Sequence, residues 1–204
     1  MATIYEGALA PGEPYWVRLH DFLLTKGYRL RRRYDPDWQP SWLSSSRGQQ
    51  RVKYFECEDS INPLVRTANF SSVVLCVSHP VQNPNVLDAI RIADGLKVVL
   101  KRILSASSEH HIASYFSLPP MRSHPRNRTV PILEFIVLPD DMQHLLVVMP
   151  YLRCFDTPPF HCRKEVVDAF RQFLQGLEFM HEHGVAHRYF PSCDQLNPAS
   201  HDTL

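Results

Sequence analysis

Glycine is scarce in this chain, at 7 of 204 residues. Before Lys101 the glycines are Gly7, Gly12, Gly27, Gly48 and Gly95, and none stand in a G-x-G-x-x-G spacing. That excludes a glycine-rich loop of the kind whose bare backbone closes over phosphates. Net charge is nearly absent as well: 22 Lys and Arg face 21 Asp and Glu, for a formal +1. Such a balance provides no overall field to hold nucleic acid or an anionic membrane. The cysteines, Cys57, Cys76, Cys154, Cys162 and Cys193, are odd in number and lack any C-x-x-C pair, which predicts free thiols in a reducing compartment. No basic segment followed by an apolar run opens the chain, so no signal peptide is predicted. No apolar stretch approaches the length of about 18 residues that spans a bilayer. A cytoplasmic or nuclear location, without membrane contact, is the resulting expectation.

Proline, by contrast, is plentiful at 17, which suits a loop-rich chain with rigid connections. Between the prolines, hydrophobic periodicity marks out the elements. Trp16, Leu19, Phe22 and Leu23 recur at helical spacing from Pro14 to Lys26, with Pro14 in the first turn and Gly27 as the stop. The run Arg29, Arg31, Arg32 and Arg33 follows. It raises the possibility of nucleic-acid binding, but Asp35 and Asp37 lie beside it and the whole chain is neutral, so a solvated, acid-paired segment is expected. Trp38 and Trp42 bracket Pro40 as an extended arm, and Ser44 to Gln50 reads as a loop. The apolar run Val73 to Val77 suits a strand.

Val86 to Ala93 and Leu96 to Leu104 flank Asp94-Gly95, a dipeptide favoured at the centre of a two-residue hairpin turn. Val130 to Leu138 and Leu145 to Met149 form a second strand pair around Pro139-Asp140-Asp141. Between the pairs, Ser107 to Phe116 is predicted helical, capped by Ser107 or Ser108, with Ile112, Tyr115 and Phe116 facing inward. Pro119-Pro120 ends it. A long helix from Arg163 to His183 carries a stripe of Val166, Val167, Phe170, Phe173, Leu174, Leu177 and Met180 and stops at Gly184. The order strand, strand, helix, strand, strand predicts an α+β fold with a mainly antiparallel sheet and one helix packed on it.

Val98-Val99-Leu100-Lys101 on the second strand of the first hairpin, and His187-Arg188 after the long helix, together resemble the protein kinase-like superfamily. The wording of Tyr28 to Trp42, Ser114-Tyr115-Phe116, Pro125-Arg126-Asn127 and Phe173 to Arg188 is similar to protein-kinase-domain proteins of fungi, particularly mushroom-forming ones. The resemblance covers nearly the whole chain to Arg188, and Phe190 to Leu204 looks unrelated to it. It implies an N-terminal extension over 1–60, a small lobe over 61–150, and a hinge with the first helices of a large lobe, truncated within the catalytic loop, over 151–204.

The same resemblance implies roles for particular residues. Lys101 is placed to pair with ATP phosphates, held by an acid on the following helix. Glu109 is the acid available, although aligning Ile112 to Phe116 with the usual apolar positions puts His111 in the inward slot. Met149, Tyr151 and Leu152 fall in the hinge, whose backbone receives the adenine. His187 and Arg188 match the catalytic loop, but Tyr189 stands where the catalytic Asp is expected. A phenol with a pKa of about 10 is neutral at pH 7 and cannot accept a substrate proton as a carboxylate does. Asp194 stands where a magnesium-binding Asn belongs, and no Asp-Phe-Gly follows. ATP and magnesium are therefore the implied ligands, and phosphate transfer is not expected. A rival metal site from His181, Glu182, His183 and His187 lacks the H-E-x-x-H arrangement, so no metal site is expected. The long helix offers an alternative function as a pseudokinase-like interaction or scaffold module. Its stripe, left uncovered, predicts a protein partner or self-association through 163–183.

Overall fold

The computed structural model describes residues 9–10, 12–41, 84–152 and 158–186. Trp42, the loop 44–50, the run Val73 to Val77, and His187, Arg188, Tyr189 and Asp194 lie outside the described residues. The architecture is α+β, as the order of periodic segments predicts. In chain order it runs α1 (Glu13–Arg18), α2 (His20–Thr25), β1 (Tyr28–Arg29), β2 (Val86–Arg91), β3 (Lys97–Leu104), α3 (Ser108–Ser117), β4 (Glu134–Val137), β5 (His144–Pro150) and α4 (Arg163–Glu182).

The strands form a five-stranded antiparallel sheet in the order β1-β2-β3-β5-β4. β3 is central, with Leu100 opposite Leu87 on one side and Val148 on the other. Because strand side chains alternate, the register sorts residues onto two faces. One face carries Leu87, Ala89, Val98, Leu100, Leu146, Val148 and Ile136, and the N-terminal Trp16, Leu23, Leu30 and Tyr34 complete that core. The other carries Ile103, Leu145 and Val147, with Ile132 beside them and Ala113 of α3 packed on top. The sheet curls: the Tyr28 hydroxyl of edge strand β1 donates to Glu134 Oε2 of edge strand β4 at 2.6 Å.

Several local expectations are corrected. The segment 14–26 is two six-residue helices rather than one. Leu19 serves both as C-cap of α1 and N-cap of α2, and its N–H bonds back to Trp16 O at 3.1 Å, a tightened turn that puts Trp16 and Leu23 in one core. The first hairpin does not close on a two-residue turn. Its loop, Ile92–Gly95, is closed by Arg91 N–H to Leu96 O and Gly95 N–H to Arg91 O, both 2.9 Å. Gly95 takes the left-handed conformation (φ 72°), while the Asp94 carboxylate accepts from Leu96 N–H and from the Arg91 guanidinium. An Asx-type bond therefore replaces the second positive-φ residue of the shorter turn. β4 is shorter than the stretch 130–138, since only Glu134–Val137 pair regularly with β5.

The arginine run is not simply solvated. Arg29 and Arg32 are exposed, but Arg33 is fully buried with Glu13 (Nε to Oε1 2.7 Å, Nη2 to Oε2 2.9 Å), and Arg31 pairs with Asp88 at 3.2 Å. The neighbouring acid Asp35 pairs instead with His20 at 3.3 Å. Burial by itself pushes the Glu13 carboxyl up, but the Arg33 hydrogen bond, the Ala10 N–H, the Arg33 charge and the Tyr34 hydroxyl outweigh it and hold the group below the ordinary glutamate range.

Candidate functional site

Lys101 lies on the sheet face that α3 covers, in register with Val86 on β2 and Val147 on β5. α3 begins where Ser107 caps it: the serine hydroxyl accepts from His110 N–H at 3.3 Å. His110 then fixes the helix to the sheet, its Nδ1 meeting Ser105 O at 2.8 Å and its ring standing edge-on to Phe135 at 5.0 Å. With the start so placed, Glu109, Ala113 and Phe116 recur at helical spacing toward the sheet side. Glu109 Oε1 receives a hydrogen bond from Lys101 Nζ. His111 is exposed, so the acid that meets the lysine is Glu109 and not the side chain expected from aligning Ile112 to Phe116. That alignment takes Tyr115 as inward, and Tyr115 is exposed while Phe116 is buried at 2%. The Lys101 side chain is 33% exposed and Glu109 52%. Such a pair contributes little to stability; it ties the partly exposed Lys101 ammonium to the helix that follows.

At the other end of the same face, β5 runs out into Tyr151 and Leu152. Met149 is opposite Val99, and Asp88 opposite Val99 on its other side, so these residues share one row. Tyr151 N–H donates to Lys97 O at 3.3 Å, and Lys97 Nζ lies 4.3 Å from the Tyr151 ring centre. Leu152 is exposed. Val86 thus flanks Lys101 in its own row, and Val99 and Met149 occupy the next row toward Tyr151.

α4 meets the rest of the molecule through residues the stripe omitted. Its buried positions are Gly176 and Phe179. Phe179 stacks on His124 (4.5 Å, 16°) and touches Phe116 (5.9 Å) and His183 (4.4 Å). Arg126 clamps Glu182 with two hydrogen bonds at 2.8 and 2.6 Å. Asn127 locks the intervening loop by donating to Phe116 O and Met121 O, both 3.0 Å. The predicted stripe divides: Val167 is 63% exposed, Phe170 51% and Leu174 64%, whereas Val166, Leu177 and Met180 are half-buried. His183 Nδ1 bonds the Phe179 carbonyl at 2.7 Å as part of the helix end. Among the described residues no group of three or more His, Cys, Asp or Glu is arranged to hold a metal ion. Also among the described residues, no helix is long and apolar enough to cross a membrane.

Lys101 and Met149 therefore share the face beneath α3, Glu109 meets Lys101 from α3 and Tyr151 meets Lys97, whereas Leu152 is exposed beyond the end of β5 and the placement of His187, Arg188 and Tyr189 is not described. Asp88, Lys97 and Arg31 belong to the same surroundings; Asp88 and Lys97 had no sequence signal, and Arg31 was legible only as part of the arginine run, because its partner Asp88 is distant in the chain. No protein-family model matches the chain, and no curated protein matches it.

Proposed function

We propose that this chain is a protein kinase-like domain that binds ATP on the α3-covered face of its sheet and does not transfer phosphate. The observation that carries the reading is the Lys101–Glu109 pair, which joins the central strand to the helix following it. Two further features support it. The strand-strand-helix-strand-strand order leads into an extended segment at Tyr151, and the apolar Val86, Val99 and Met149 occupy the row of the ammonium and the next one. In this reading Lys101 holds phosphate oxygens, Glu109 keeps the ammonium in place, and the backbone around Met149, Tyr151 and Leu152 receives the base. ATP itself supplies the phosphoanhydride whose terminal group a kinase moves. Tyr189, neutral at pH 7, leaves the acceptor hydroxyl without a base.

Calorimetric titration with ATP tests the reading. Wild type is expected to bind weakly, and Lys101→Met to lose at least about tenfold in affinity, the equivalent of one charged contact. Purified chain incubated with labelled ATP and a peptide is expected to show no turnover. Labelling that disappears in Lys101→Ala would overturn the assignment of Tyr189.

A second reading, an interaction or scaffold module, rests on the exposed Val167, Phe170, Phe173 and Leu174 of α4. Charge substitutions at Phe170 and Phe173 are then expected to abolish association while ATP binding stays unchanged.

A further inference from the structure

Glu13, Arg33 and Asp88 are the charged side chains buried among the described residues. Glu13 and Arg33 meet each other, whereas Asp88 meets Arg31 from the N-terminal segment and Lys97 from the facing strand of its own hairpin. Arg31 Nε lies 3.2 Å from its Oδ1, and Lys97 Nζ lies 3.0 Å from its Oδ2. Lys97 continues the connection to Tyr151 through its ammonium, 4.3 Å from the ring, and through its carbonyl, which accepts the Tyr151 N–H. On the other side Arg31 Nη2 reaches the Tyr34 hydroxyl at 3.5 Å, and that hydroxyl donates to Glu13 Oε1 at 3.1 Å. A continuous polar chain therefore runs Glu13, Tyr34, Arg31, Asp88, Lys97, Tyr151. It begins in the N-terminal core and ends where β5 leaves the sheet.

A carboxylate withdrawn from water is costly unless it is paired and hydrogen-bonded, so the positions of Arg31 and Lys97 are coupled to Asp88. By register Asp88 occupies the row of Val99 and Met149, next to the row of Lys101. Lys97 and Lys101 are separated by about 13 Å at roughly 3.3 Å per strand residue. In the kinase-like reading, Lys101 belongs to the phosphate end of the site and Lys97 to its base end.

We propose that Asp88 is a positioning residue for the base-binding end of the nucleotide site. Through Lys97 it holds Tyr151 and the backbone that follows, and Arg31 anchors it from the N-terminal segment. This rests on the kinase-like reading above. It adds that the N-terminal segment is part of the site's framework, and that base and phosphate recognition are carried by separate ion pairs on one sheet face.

Titrating the full chain separately with adenosine and with inorganic tripolyphosphate tests this. Asp88→Asn and Lys97→Met are each expected to weaken adenosine binding about tenfold, the loss of one charge-assisted contact, and to leave tripolyphosphate binding unchanged. Lys97→Arg restores the cation and is expected to retain adenosine binding. Lys101→Met gives the converse pattern. Should Asp88→Asn fail to fold, Lys97→Met still answers, because it leaves the buried Arg31–Asp88 contact intact. Wild-type adenosine binding undiminished in Lys97→Met overturns the inference and leaves the kinase-like reading standing. Equal loss of both ligands in Asp88→Asn and Lys97→Met assigns a structural role only and also overturns it. A wild-type chain that binds neither ligand overturns the kinase-like reading and this inference together.

Discussion

Glu13 shows what a single buried residue does in this molecule. Its two oxygens together take the Arg33 guanidinium, the Ala10 N–H and the Tyr34 hydroxyl, all away from solvent. Removing one partner of such a pair leaves the other charged and dry, at a cost of about 3–5 kcal/mol. Glu13→Ala is therefore expected to lower the urea midpoint sharply. The same group sets a pH dependence. Its carboxyl is held below the ordinary glutamate range in the fold, so the unfolded chain takes up the proton first as pH falls. The stabilisation is complete above the unfolded pKa of about 4.3 and disappears as pH drops through the folded one. Urea midpoints measured between pH 7 and pH 3 are expected to fall steeply at the acid end in wild type, and less steeply in Glu13→Gln.

At the scale of elements, α4 is held by one edge. Phe179 fills an aromatic slot between His124, Phe116 and His183, and Gly176 lets the loop approach: a Cβ there would stand 2.8 Å from Arg128 Cβ. Because that neighbour is the root of a side chain and not its flexible tip, Gly176→Ala must push loop and helix apart. The expected cost is about 1–3 kcal/mol. Phe179→Ala empties the slot, with an expected loss of about 3–5 kcal/mol. Thermal melts of the two variants beside Leu174→Ala, whose side chain is 64% exposed, check both. Leu174→Ala is expected to melt near wild type. The stripe read from the sequence left out Phe179, so the anchor of the helix was not legible there, while the expectation of an uncovered stripe agrees with the exposure of Phe170 and Leu174.

At the scale of the whole molecule, two surfaces define behaviour. Residues 12–41 seal one sheet face, burying Trp16, Leu23, Tyr28, Leu30 and Tyr34, so this N-terminal part shares the core of the strands 86–150. α4 leaves Val167, Phe170, Phe173 and Leu174 open to water. An apolar strip of that kind favours association. The chain is expected to sediment as a concentration-dependent oligomer, and Phe170→Glu with Leu174→Glu to shift it toward monomer. A monodisperse, cooperatively melting wild-type monomer would contradict this.

The α+β order, the spans of β2, β3, β5 and α3 to within a residue or two, and the length of α4 were legible in the sequence. Each rests on local periodicity and on end signals such as Ser107 and Gly184. The residue pair Lys101–Glu109 was half legible: both members were candidates, but the helix phase that brings Glu109 and not His111 to the lysine comes from His110 seating on Phe135 and Ser105. Tertiary structure alone decided the fate of the arginine run, the break at Leu19, the slot around Phe179 and the Asp88 chain. The physical reason is common to the arginine run, the Phe179 slot and the Asp88 chain. A side chain's periodicity is written by its neighbours in sequence, whereas the partner that neutralises a buried charge or fills a cavity is delivered by the fold from a distant segment.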